Sequence, residues 1–114
     1  MTLNTAPERP VTAVGETNLF SVSFVGVLDS GESLTGTPTV TEVGTSDLTI
    51  ENKVVSTTSL TINGKSVAAG KAVQFKVSGQ AVANSPYTVK ITVSTDSTPA
   101  QTKVKFVKFT CEGA

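Results

Sequence analysis

Tyr87-Thr88-Val89-Lys90-Ile91-Thr92-Val93-Ser94 alternates apolar and polar residues from end to end. Side chains of an extended chain point to opposite faces in turn, so Tyr87, Val89, Ile91 and Val93 share one face and Thr88, Lys90 and Thr92 the other. An amphipathic helix needs apolar residues three and four positions apart, which this stretch lacks. It reads as a half-buried β-strand, opened by Pro86 and closed by a turn over Asp96 to Pro99.

The same period runs outward in both directions. Lys71 to Ser78 alternates, with Val73, Phe75 and Val77 inward. From Thr17 the chain alternates again, and Phe20, Val22 and Phe24 point one way. Asp29-Ser30-Gly31-Glu32 is a turn signal. A strand over Ser33 to Val43 follows, with Leu34 and Val40 as core positions. Gly36 and Pro38 interrupt it, and because proline has no N–H for a sheet ladder, this strand belongs at an edge or carries a bulge. Short strands are expected over Leu48–Ile50 and Lys53–Thr57 with Glu51-Asn52 as the turn between them. Another contains Leu60 and Ile62 and ends at Asn63-Gly64, a hairpin turn in which both residues tolerate positive φ. The last strand, Gln101 to Thr110, changes parity: Val104 and Phe106 lie on one face, Val107 and Phe109 on the other. Either a bulge near Phe106–Val107 or cover on both faces accounts for this.

These are about seven short strands with turns between them and no helical period of useful length. The expected fold is all-β, an immunoglobulin-like antiparallel sandwich, with a jelly roll or small barrel as the alternative. The 114-residue length suits one domain. Residues 17–114 form it, and residues 1–16, with Pro7, Pro10 and Gly15, read as an extended arm that either stays disordered or orders against a neighbouring subunit. Thr and Val, the commonest side chains, are β-branched and favour sheet.

Composition narrows function. Lys+Arg and Asp+Glu number 9 each, so no basic excess exists for nucleic acid. A surface without net charge suits a protein packed against partners. No apolar run reaches the length of a membrane helix, and the polar start, with Glu8 and Arg9, lacks the pattern of a secretory signal. Synthesis in a cytoplasm is expected. Histidine is absent, which removes the commonest general base and metal ligand. The carboxylates Glu8, Glu16, Asp29, Glu32, Glu42, Asp47, Glu51, Asp96 and Glu112 are scattered beside turns. Asp29 and Glu32 flank one turn, where solvation of the turn is favoured over calcium binding. Cys111, the single cysteine, is either an inert thiol at a strand end or a contact with a neighbouring chain. Lys103, Lys105 and Lys108 mark the last strand, either as guards of a sheet edge or as a contact for an acidic partner. No catalytic, cofactor-binding or metal-binding residue is assigned, and no cofactor is expected.

Tyr87 follows Asn84-Ser85-Pro86 and shares parity with Val89, Ile91 and Val93. In immunoglobulin-like sandwiches a tyrosine at this place bonds its hydroxyl to backbone a few residues upstream, here within Gln80 to Asn84. A structural role for Tyr87 is therefore expected.

Phe20-Ser21-Val22-Ser23-Phe24, followed by Leu28-Asp29-Ser30-Gly31-Glu32-Ser33-Leu34, resembles small virion proteins of tailed bacteriophages. In these an alternating strand leads to a leucine, an acidic glycine turn and a second strand. Val73 to Gly79 and Tyr87 to Thr95 are similar to the later strands of the same family. The resemblance spans roughly residues 17–110. It is to the fibre–tail adaptor type, with related capsid decoration proteins, although Val25-Gly26-Val27 stands where that family often has an acidic–aromatic start. It implies a non-enzymatic structural protein of the virion, made in the host cytoplasm. Its partners would be other virion proteins of tail, fibre or capsid, with a homo-oligomer or many copies in the assembly, and neither nucleic acid nor membrane. The alternative is a surface- or carbohydrate-binding immunoglobulin-like module. Such modules stack exposed aromatic rings on sugars, and this chain has no Trp and one Tyr.

Overall fold

In the computed structural model residues 11–28, 31–62 and 64–112 are described. They form β1 (Val11–Ala13), β2 (Asn18–Ser23), β3 (Leu34–Val43), β4 (Thr49–Val55), β5 (Leu60–Ile62), β6 (Lys65–Val67), β7 (Ala72–Ser78), β8 (Tyr87–Thr95) and β9 (Thr102–Glu112). Two single-turn 3-10 segments, Val25–Val27 and Val82–Asn84, lie in the connections.

Sheet order is β1-β9-β8-β3 in one layer and β2-β7-β4 in the other, with β5-β6 as a separate hairpin. With β1 counted first and the inserted β5-β6 hairpin left out of the count, second, fifth and fourth strands on one side and third, sixth and seventh on the other is the connectivity of an immunoglobulin-type sandwich. Nine strands among the described residues exceed the expected seven. The pairing is also not purely antiparallel, because β1 runs parallel to β9, with Val11 beside Thr110 and Ala13 beside Glu112. Residues 11–13, read from sequence as part of an arm, are thus a strand of the sandwich, and Thr12 is buried. The rest of that arm, 1–10, lies outside the described residues.

The core is the one that the period-two pattern marks. Phe20, Val22, Phe24, Leu34, Val40, Val73, Phe75, Val77, Tyr87, Val89, Ile91, Val93, Val107, Phe109 and Cys111 form one buried cluster between the layers. Phe20 meets Phe75 and Phe109 edge-on, and Tyr87 stacks on Phe109 at 5.3 Å between ring centroids. Ile62, Val67 and Ala72 make a smaller cluster where the β5-β6 hairpin folds onto its sheet. That hairpin turns at Gly64, next to Asn63, which lies outside the described residues, as do Asp29 and Ser30 of the expected turn.

β3 meets both halves of its expectation: it is an edge strand, and its register with β8 shifts between Thr35 and Thr39, around Gly36 and Pro38. One expectation is corrected, and of the two alternatives for the last strand the bulge is removed while partial cover on both faces stands. Glu51-Asn52 is no turn between strands. β4 continues through it with a bulge between Glu51 and Val54, and Asn52 takes φ 52° to make the extra step. β9 carries no bulge: its register with β8 is unbroken from Phe109 opposite Tyr87 to Thr102 opposite Ser94. Lys105, Val107, Phe109 and Cys111 face inward, while Val104 and Phe106 are half-buried on the outer face. Lys105 occupies a core position, and its ammonium donates to Ser23 O at 2.7 Å, 5.7 Å from the centre of the Phe24 ring. It therefore does not act as an edge guard.

Candidate functional site

Two surfaces stand out: the end of the sandwich around Tyr87 and the outer face of the four-stranded sheet. At the first, the β3–β4, β7–β8 and β1–β2 loops meet. Tyr87 enters β8 fully buried with its hydroxyl at the loop end. Ala81 N–H donates to that hydroxyl at 2.8 Å. The hydroxyl proton has two acceptors in reach, Asp47 Oδ2 at 2.8 Å and Ala81 O at 3.1 Å, and the carboxylate is the stronger. Asn84 Nδ2 also donates to Asp47 Oδ2, at 2.6 Å. This is the tyrosine corner expected from sequence, with Asp47 added.

The Asn84 and Tyr87 hydrogen bonds hold the Asp47 carboxyl below its ordinary pKa. Burial, with the Asp47 charge adding to it, pushes the Tyr87 phenol up. Glu42 organises the same loop: its carboxylate accepts from Asp47 N at 2.8 Å, from Leu48 N at 2.9 Å and from the Thr45 hydroxyl. Gly79, at φ +87°, passes so close to the β3–β4 loop that a Cβ there would lie 2.5 Å from Asp47 O. Gln80, also buried, donates from Nε2 to Ala13 O and Glu16 O at 2.7 and 3.1 Å, tying the β1–β2 loop to the same end.

Chemically this end is a set of acceptors satisfied by loop donors. Asp47 and Glu42 hold backbone and side-chain donors, among them the Tyr87 and Thr45 hydroxyls. Cys111 is buried, and its N–H donates to Ser85 Oγ at 2.9 Å. At the opposite end Glu32 is buried, and Asp96 accepts from Ser33 N at 2.9 Å. Among the described residues no group of three Cys, Asp or Glu side chains is arranged to hold a metal ion. Asp29, which the calcium alternative requires, lies outside them. No described helix is long and apolar enough to cross a membrane.

Sequence reading missed Asp47, Glu42 and Gly79. Gly79 carried a legible signal, a glycine just past a strand. Asp47 and Glu42 looked like the other turn carboxylates, and only the folded loops give them donors.

The second surface is built by register. On its outer side, Thr41, Lys90 and Phe106 form one row across β3, β8 and β9, and Val43, Thr88 and Lys108 form the next. It is threonine-rich, and among the described residues its one aromatic is Phe106.

No protein-family model matches this chain, and a search of curated proteins finds no match to it.

Proposed function

We propose that the chain is a non-enzymatic structural protein of a bacteriophage virion, binding other virion proteins in multiple copies as a fibre–tail adaptor or a capsid decoration protein. One observation carries the choice over a sugar-binding module. The only tyrosine is buried, and its hydroxyl is held by Ala81 and Asp47, so it is no platform for a sugar ring. The loops at that end are tied to one another, which suits a rigid packing unit. The resemblance of residues 17–110 to small virion proteins supports the same reading.

The test is to purify particles from cells carrying the encoding genome and quantify the chain by mass spectrometry. A fixed copy number that survives gradient purification is expected. A chain absent from particles that binds glycans in free form would replace this reading with the carbohydrate-binding one.

A further inference from the structure

Phe20, Phe24, Phe75, Phe109 and Tyr87 are all buried in the core. Phe106 is the exception. It lies on the outward parity of β9, half-buried, directly across from Lys90 on β8. Nothing in the core calls for an aromatic residue there. Val104 lies beside it on the same strand face, half-buried, and the other outward neighbours on β3 and β8 include Thr39, Thr41, Val43, Thr88 and Thr92; threonine fills a strand position as well as phenylalanine does.

The register also sets the charge around it. Adjacent strands lie about 4.8 Å apart, and residues two apart on one strand lie about 7 Å apart. Phe106 therefore has Lys90 beside it and Lys108 next along its own strand face, both exposed. The nearest carboxylate on that face of β9 is Glu112, four residues beyond Lys108 and roughly 13 Å away. β8 and β3 place none there: their outward residues are Thr88, Lys90, Thr92 and Ser94, and Thr35, Thr39, Thr41 and Val43.

We infer that the outer face of the β1-β9-β8-β3 sheet docks an acidic protein surface, with Phe106 as the apolar anchor and Lys90 and Lys108 as the flanking cations. Aromatic residues, Phe among them, are enriched in the apolar centre of protein interfaces with polar groups at the rim; here Phe106 and Val104 make that centre, and the one-signed rim selects a partner by charge. A second copy of the chain meeting this face with its own would set lysines against lysines. Two lysines on a chain of zero net charge neutralise too few phosphates to hold nucleic acid. The inference goes beyond the virion reading, because it names the face and the charge of the partner whatever assembly the partner belongs to.

The test places a photo-crosslinking benzoyl-phenylalanine at position 106 of the full chain, in cells producing the particles. A control chain carries it at position 19, since Leu19 is exposed on the outer face of the other sheet. Position 106 is expected to give one discrete adduct, cross-linked at a peptide rich in Asp and Glu. Adding Lys90→Glu and Lys108→Glu should cut its yield by about tenfold or more, in a chain whose thermal melt is unchanged. Position 19 should not give that adduct. The inference is overturned by no adduct at 106 above the control, by an adduct to nucleic acid or to a second copy, or by a yield indifferent to the two charge reversals. An acidic partner that is no component of the particle would keep the docking face and remove the virion reading.

Discussion

Gly79 is the residue at which two loops come closest. Its φ of +87° is a conformation L side chains rarely adopt, and a Cβ would meet the Asp47 carbonyl oxygen at 2.5 Å. Backbone cannot yield as a flexible side chain does. Gly79→Ala is therefore expected to destabilise the domain by at least about 1–3 kcal/mol in urea denaturation; an unchanged midpoint would mean the loops do not approach in this way. Tyr87 is the second such position. Tyr87→Phe keeps the ring on Phe109 and removes the hydroxyl that joins Ala81 to Asp47. The expected loss is about 1–2 kcal/mol, with partner binding unaltered; unchanged stability with lost binding would put Tyr87 on a functional surface.

The same pair makes stability depend on pH at both ends. The lowered pKa of Asp47 gives stabilisation that is complete above the unfolded value of about 3.9 and is lost as pH falls through the folded one. The raised pKa of Tyr87 gives stabilisation that is complete below about pH 10 and is lost as pH rises through the folded value. Melting temperatures across pH should show Asp47→Asn flattening the acid limb and Tyr87→Phe flattening the alkaline one. Parallel limbs in wild type and variants would contradict the assignment.

At the scale of elements, β1 does more than its three residues suggest. Thr12 Oγ1 donates to Thr110 O at 2.9 Å, Val14 N–H donates to Glu112 O at 3.2 Å, and Ala13 O accepts from Gln80. Removing β1 leaves these β9 carbonyls and the buried Gln80 amide without those partners, at about 1 kcal/mol or more for each group that stays buried. Deleting residues 2–14 should therefore lower stability by on the order of 1–3 kcal/mol relative to deleting residues 2–10, measured by chemical denaturation. Equal stabilities of the two truncations would make β1 dispensable. The bulge in β4 illustrates another element-level effect. Asn52 is among the residues that most readily take positive φ, so the strand passes through the step where a turn was expected and keeps Ile50 and Val55 against the core.

For the whole molecule, stability rests on a core shared by both layers. Phe75 of the three-stranded sheet and Ile91 of the four-stranded one are both fully buried in it. Phe75→Ala and Ile91→Ala are each expected to cost on the order of 2–5 kcal/mol. Because the layers share that core, each variant should melt in one cooperative transition. Losses under about 0.5 kcal/mol for both, well below that range, would refute the core assignment.

The sequence by itself determined the inward faces of β2, β7 and β8, because burial on one side of a sheet writes a period of two into the chain, as in Phe20-Val22-Phe24 and Tyr87 to Val93. It also limited β3 to an edge or a bulge, since Pro38 cannot sit in a regular central ladder, and pointed to the tyrosine corner, since Tyr87 shares its strand's inward parity. The tertiary structure alone decided whatever depended on a partner far along the chain. Lys105 turns inward because Ser23 offers a carbonyl 82 positions away, which a local pattern of charge cannot register. Asp47 becomes a clamp because Asn84 of the β7–β8 loop and Tyr87 at the start of β8 arrive beside it, and residues 11–13 become a strand because the end of β9 gives them a ladder. Periodicity records which side of an element is dry; which polar group meets which acceptor is settled only when distant segments are brought together.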